Sequence, residues 1–180
     1  MLPATSPVGG APLDRPAPPT AVPQPPLPLA DAPVSFTVYG VPVTQAGMRS
    51  VPTPAGYRQV TVGGKGLLPW RQAVARAARE AAETGGAFGD QPVVVTLDFR
   101  FPMPKARTKA QRARGVWYHL GRRDDIDKLE RAMLDGLTEG GLIADDGNVV
   151  EVHKRKREYS DGWLGCDVAV RLADLAGVPL

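Results

Sequence analysis

Two aspartates stand two residues apart at Asp125 and Asp127, and a second pair, Asp145 and Asp146, follows an apolar stretch. Inside a helix, side chains two apart point about 200° away from each other, whereas an extended backbone puts them on one side. A D-x-D placed where a helix begins therefore lets two carboxylates converge on one point. Hard oxygen ligands without Cys or His suit Mg²⁺ or Mn²⁺. Such a cation serves phosphodiester hydrolysis, polarising the phosphate and lowering the pKa of a bound water. Directly before the aspartates, residues 105–123 hold Lys105, Arg107, Lys109, Arg112, Arg114, Arg122 and Arg123 and no acidic residue; Lys154-Arg155-Lys156-Arg157 forms a second run. Acid at the centre with base around it suits a nuclease, because basic side chains hold the phosphate backbone.

Spacing alone also admits a plainer account. Asp127 with Glu130 fits a capping box, and Asp145-Asp146-Gly147-Asn148 is an ordinary turn sequence. Any single cation fits a solvated face as well as a phosphate contact. His119 and His153 lack partners at ligand spacing and read as a loop and a strand residue. Trp117 and Tyr118 either stack on exposed bases or pack on the domain.

The elements that would position these residues follow from periodicity. Val34, Phe36 and Val38 alternate with Ser35, Thr37 and Tyr39 in a first strand. Residues 41–64 read as a long loop containing Arg49 and Arg58. Leu67 to Ala82 is a helix, with Trp70, Val74, Ala77, Ala78 and Ala81 at helical spacing. Val93 to Phe101 alternates as a strand, ended by Pro102 and Pro104. Residues 105–123 have no sustained period and read as a loop with at most a helical turn. Ile126, Leu129, Met133 and Leu137 mark an amphipathic helix from about Asp127 to Thr138, stopped by Gly140-Gly141. A third strand starts at Val149 and a fourth covers Cys166 to Leu172. The order β-α-β-α-β-β implies an α+β fold, a two-layer domain with a mixed sheet and two main helices. If the second helix and third strand run antiparallel, Asp146 reaches the D-x-D only if the chain doubles back through Leu142 to Ala144.

The chain has 180 residues and a net charge of +3, so the distribution of charge matters more than its total. Eleven of the 19 prolines fall in residues 1–33, against three charged residues. That composition cannot bury enough apolar surface to offset its ordering entropy. The expected organisation is a disordered Pro-rich tail over 1–33 and one domain over 34–180. Cys166 is the single cysteine, which excludes an intrachain disulfide and a Cys-based zinc site. No apolar run approaches membrane-spanning length and no secretion pattern opens the chain, so a soluble cytoplasmic protein without a membrane partner is expected.

In this setting the residues resemble the RusA-type Holliday junction resolvases, a family common in phages. Its motif runs approximately K-P-D-x-D-N-x-x-K, an apolar helix, then D-D-x-x-V. Here Arg123-Asp124-Asp125-Ile126-Asp127-Lys128-Leu129-Glu130-Arg131 leads through the helix to Asp145-Asp146-Gly147-Asn148-Val149. Val38 to Arg49, with Pro42, Gln45, Gly47 and Arg49, is similar to the family's G-x-P-x-P-Q-G-x-x-R opening. Pro69-Trp70-Arg71 and Phe99-Arg100-Phe101-Pro102 fall where related elements occur, so the likeness spans about 34–172. It implies Asp125, Asp127 and Asp146 as catalytic Mg²⁺ ligands, with Mn²⁺ as a substitute, and places the essential lysine on Arg131. The departures are Asp124 for Pro, Lys128 for Asn and Arg131 for Lys. Arg131 lies one turn from Asp127 and four residues before Asp135, so both carboxylates are expected to hold it over the site. The implied activity is endodeoxyribonuclease cleavage of four-way junctions by paired symmetric nicks in DNA recombination and repair, made by a homodimer in the host cytoplasm if phage-encoded. Branched DNA would be gripped by Arg49 and the two basic runs. An inactive or weakly active branched-DNA-binding relative of the same fold is the alternative. A D-x-D nucleotide-sugar transferase is disfavoured, since no nucleotide-binding unit fits the remaining length.

Overall fold

The computed structural model describes residues 30, 32–121 and 124–174. Most of the Pro-rich segment, together with Arg122 and Arg123, lies outside the described residues. Five strands form the main sheet: β1 (Val34–Tyr39), β4 (Val93–Pro102), β5 (Val116–Tyr118), β6 (Val149–Tyr159) and β7 (Gly165–Leu172), in the spatial order β1-β7-β4-β6-β5. Only β4 and β6 pair in parallel; the other neighbours are antiparallel. Two long helices, α1 (Leu67–Gly85) and α3 (Ile126–Gly140), pack together on one face of this sheet, and a short α2 (Lys109–Ala113) precedes β5. The mixed sheet and the two main helices agree with the periodicity.

Alternation on β4 explains the core. Val93, Val95, Leu97, Phe99 and Phe101 are buried against Leu67, Trp70, Val74, Ala78 and Ala82 of α1 and Leu129, Met133 and Leu137 of α3. Helix stripes of this kind stabilise through burial far more than through propensity. Among the described residues neither long helix lies on the other face of the sheet, yet Asp98 and Arg100 on β4 are also buried there. Asp98 accepts from Arg157 Nε at 3.2 Å and from the Tyr159 hydroxyl at 2.9 Å, with Arg155 Nε at 3.3 Å. Arg100 pairs with Asp161 and lies over the rings of Tyr159 and Trp163 at 3.5 and 3.7 Å. Charged side chains thus close this face by covering one another.

The sequence expectation fails in two places. Residues 41–64 are not a loop throughout: β2 (Gln45–Thr53) and β3 (Gly56–Gly63) form an antiparallel hairpin. Prolines and glycines interrupt its alternation, which a separate two-stranded ribbon tolerates because Pro there need not donate to a neighbour. Within 105–123 the anticipated turn of helix is present, capped by Thr108 accepting from Gln111 N, but the edge strand β5 was not expected. Ahead of β1, Ala30 is buried and its N–H donates to the Ala87 carbonyl at 2.6 Å.

Candidate active site at the head of helix α3

Helix α3 begins at the D-x-D. Asp125 is its N-cap residue, with extended-side backbone angles (φ −59°, ψ 127°), and Asp127 lies in the first turn. The Asp125 carbonyl accepts from the N–H groups of Lys128 and Leu129. The Asp125 side chain makes no cap bond, and helix entry at Asp125 leaves no capping box between Asp127 and Glu130. Its carboxylate faces Lys128 Nζ at 2.5 Å. The Lys128 hydrogen bond and charge, with help from Lys156, hold the Asp125 carboxyl below its ordinary range, and Asp125 in turn raises Lys128. Asp127 is exposed beside this pair. An acidic pair at a helix head, where N–H groups point outward, is a placement the helix dipole favours.

Strand β6 holds the approach to this helix. Lys156 Nζ donates to the carbonyls of Asp124 at 2.6 Å and Gly121 at 3.3 Å, and Lys154 pairs with Glu130. Lys154, Lys156 and Glu158 therefore share the helix side of β6, while Arg155 and Arg157 turn to Asp98 on the other, as strand alternation requires. Glu158 is 2 % exposed and takes a two-pronged contact from Arg107, Nε to Oε2 at 2.7 Å and Nη2 to Oε1 at 2.9 Å. Burial pushes the Glu158 carboxyl upward, but Arg107 and His119 outweigh it and leave it below its ordinary range.

Asp146 is not brought to the same point. It opens a short 3₁₀ turn, Asp146–Asn148, in front of β6, and Asp145 accepts from Gly147 N at 2.7 Å as the turn reading expects. The chain after α3 does not double back along the helix: Phe88 N donates to the Leu142 carbonyl, Ala144 N to that of Gly89, and Val149 pairs with Val93. Lys156, which touches the D-x-D turn, lies seven residues beyond Val149 on β6, about 23 Å of strand. Among the described residues no three His, Cys, Asp or Glu side chains are grouped to hold a metal ion. The donor chemistry of Asp125 and Asp127 fits a hard divalent cation, but among the described residues one chain brings no third acidic ligand to this pair.

Arg131 is exposed, and among the described residues it has no ion pair. The expectation that Asp135 holds it is overturned, because Asp135 accepts from Gln45 Nε2 at 2.6 Å and faces Arg71 Nη1 at 3.3 Å, with Arg71 also on Glu139. Gln45 is buried and ties the β2–β3 hairpin to α3. Of the candidate phosphate contacts, Arg107, Lys154, Lys156, Arg155 and Arg157 are engaged internally, and Arg112 folds back on the carbonyls of Pro104, Lys105 and Arg107. Arg49, Lys105 and Lys109 present exposed side chains, and Arg114 lies 5.2 Å over the Trp117 ring. Sequence reasoning passed over Glu158 and gave His119 only a place in a loop. The one signal available for Glu158 was an acid closing the run Lys154-Arg155-Lys156-Arg157.

The family model for endodeoxyribonuclease RusA matches residues 42–170. No curated protein matches the chain. No helix among the described residues is long and apolar enough to cross a membrane.

Proposed function

Because the chain belongs to the RusA endodeoxyribonuclease family, we propose that it is a Mg²⁺-dependent nuclease that resolves four-way DNA junctions by paired nicks, working as a homodimer. The observation that carries this reading is the pairing of half-buried Asp125 with exposed Asp127 at the head of α3, gripped from behind by β6. Bound there, Mg²⁺, or Mn²⁺ in its place, would polarise the scissile phosphate and acidify a water. Asp125 and Asp127 supply the ligands. Arg131, one turn along α3 and free of internal partners among the described residues, offers a fixed positive charge to the phosphate as its negative charge builds. Arg49, Lys105, Lys109 and Arg114 are the cations left to meet the DNA backbone. Asp146 stands toward the other end of α3, so it joins the pair only from a second copy of the chain in a two-fold dimer. Such a dimer also matches the near two-fold symmetry of a junction.

Nicking of a synthetic four-way junction against linear duplex, with Mg²⁺ and with chelator, tests the activity. Asp125→Asn, Asp127→Asn and Asp146→Asn should each abolish nicking and leave junction binding intact. Mixing Asp125→Asn chains with Asp146→Asn chains should restore single nicks, because one of the two sites in a mixed dimer is then complete. A mixture as inactive as its parents would remove the shared site. The Lys128–Asp125 pairing favours one rival, a DNA-binding relative that does not hydrolyse. Junction binding without nicking by the unaltered chain would establish it.

A further inference from the structure

His119 and Asp124, either side of Gly121, belong to a chain of contacts that ends beside the acidic pair. His119 Nε2 lies 2.8 Å from Asp124 Oδ2, and its Nδ1 lies 3.3 Å from Glu158 Oε1. The imidazole stacks on Phe101, with ring centres 4.0 Å apart and planes 9° from parallel. Glu158 is itself fixed by Arg107, and Arg107 Nη2 reaches the Tyr118 carbonyl at 3.4 Å. The clasp also leaves no room for a side chain at Gly121: a Cβ there would come 2.5 Å from both Asp124 Oδ2 and His119 Nε2. A buried carboxylate with a two-pronged arginine is a rigid anchor, whereas Asp124 sits one peptide from Asp125. We propose that His119 is a positioning residue, tying Asp124 to the buried Glu158–Arg107 pair and thereby fixing the direction in which Asp125 and Asp127 leave the head of α3. Lys156 fixes the Asp124 carbonyl and His119 its side chain, so the two together define the plane of the peptide that enters the D-x-D.

This inference rests on the reading of Asp125 and Asp127 as the cleavage site, and its test keeps the two apart. Single-turnover junction cleavage at saturating protein separates chemistry from binding. His119→Ala and Asp124→Ala should each slow it at least tenfold, with junction affinity changed less than threefold. The double variant should be no slower than the worse single, as expected for two halves of one contact. Asp124→Asn keeps an acceptor oxygen toward the imidazole and should recover most of the rate. A readout independent of activity is amide exchange at Lys128 and Leu129, whose N–H groups donate to the Asp125 carbonyl; in Asp124→Ala they should exchange at least tenfold faster. Wild-type cleavage by both single variants, multiplying losses in the double, or unchanged exchange would overturn the clasp. Failure of the unaltered chain to nick any junction would instead defeat the assignment of the site, and the exchange rates would still decide the clasp.

Discussion

Replacing Gly140 by alanine places a methyl group between the two long helices. A Cβ at Gly140 would lie 2.5 Å from the Ala75 carbonyl oxygen, 2.7 Å from Ala78 Cβ and 3.2 Å from Arg79 N. Two of these partners are backbone atoms of α1, so no side chain can rotate out of the way. The first contact falls about 0.5 Å inside the shortest separation that real Cβ atoms show, 3.0 Å, and α3 must move off α1 to relieve it. Helix propensity alone would favour the change, since alanine outranks glycine in a helix by roughly 0.5–1 kcal/mol. Overpacking at a rigid contact costs about 1–3 kcal/mol. The net is a loss of about 1–2 kcal/mol, or roughly 3–6 °C of melting temperature for a domain of this size. Thermal unfolding followed by far-ultraviolet circular dichroism measures it, with Gly47→Ala, where a Cβ meets nothing within 4 Å, as the neutral control. A melting temperature that rises in Gly140→Ala would mean that propensity wins and that the close approach of α1 and α3 is not the reason for glycine there.

Two further outcomes are expected. Arg131→Lys should keep substantial single-turnover cleavage, while Arg131→Ala should lose about a hundredfold, the scale of removing one charge-stabilising contact; wild-type cleavage by Arg131→Ala would leave that side chain without a catalytic role. Asp98 is held below its ordinary carboxyl range although burial opposes this, because hydrogen bonds from Arg157 and Tyr159 and the charges of Arg157 and Arg155 prevail. A carboxyl depressed by folding stabilises above its ordinary value and loses that contribution as pH falls through its folded value. Melting temperature should therefore drop as pH is lowered below about 4, and Asp98→Asn should be less stable at neutral pH with a shallower acid fall; equal acid slopes would contradict the assignment.

How far the fold was legible depended on how much apolar surface each element buries. Strand β4 alternates over its whole length because one face meets both helices, and the stripe Leu129, Met133, Leu137 defines α3 for the same reason. The β2–β3 hairpin pairs only with itself and is anchored to the domain through a polar residue, Gln45 on Asp135, so no apolar period announced it. Strand β5 is three residues long at a sheet edge, below the length at which a period exists. On β6 an irregularity between the Val93–Val149 and Val94–Glu151 pairs inserts Val150, which breaks the alternation just where the strand begins. Asp98 and Arg100 violate the rule that charge marks the outside, since each is covered by partners from distant parts of the chain.

The candidate site shows the same limit in its charges. Lys154-Arg155-Lys156-Arg157 reads in sequence as one basic patch, and pairing splits it into two sets on opposite faces of β6 with different partners. Lys154 and Lys156 hold the first turn of α3 and its approach, while Arg155 and Arg157 neutralise Asp98. A cation whose nitrogen already donates to a carbonyl or carboxylate must give up that bond to reach a phosphate, and a buried acceptor left unpaired costs about 1–3 kcal/mol. On the proposed reading those four side chains would therefore be poorer DNA contacts than Arg49, Lys105 and Lys109, which would lose only water. On the proposed reading, Lys156 and His119, which both end on Asp124, would act on cleavage through the position of the acidic pair rather than by touching the backbone. Neutralising a β6 lysine should then affect cleavage more than binding, the reverse of what its charge alone would suggest.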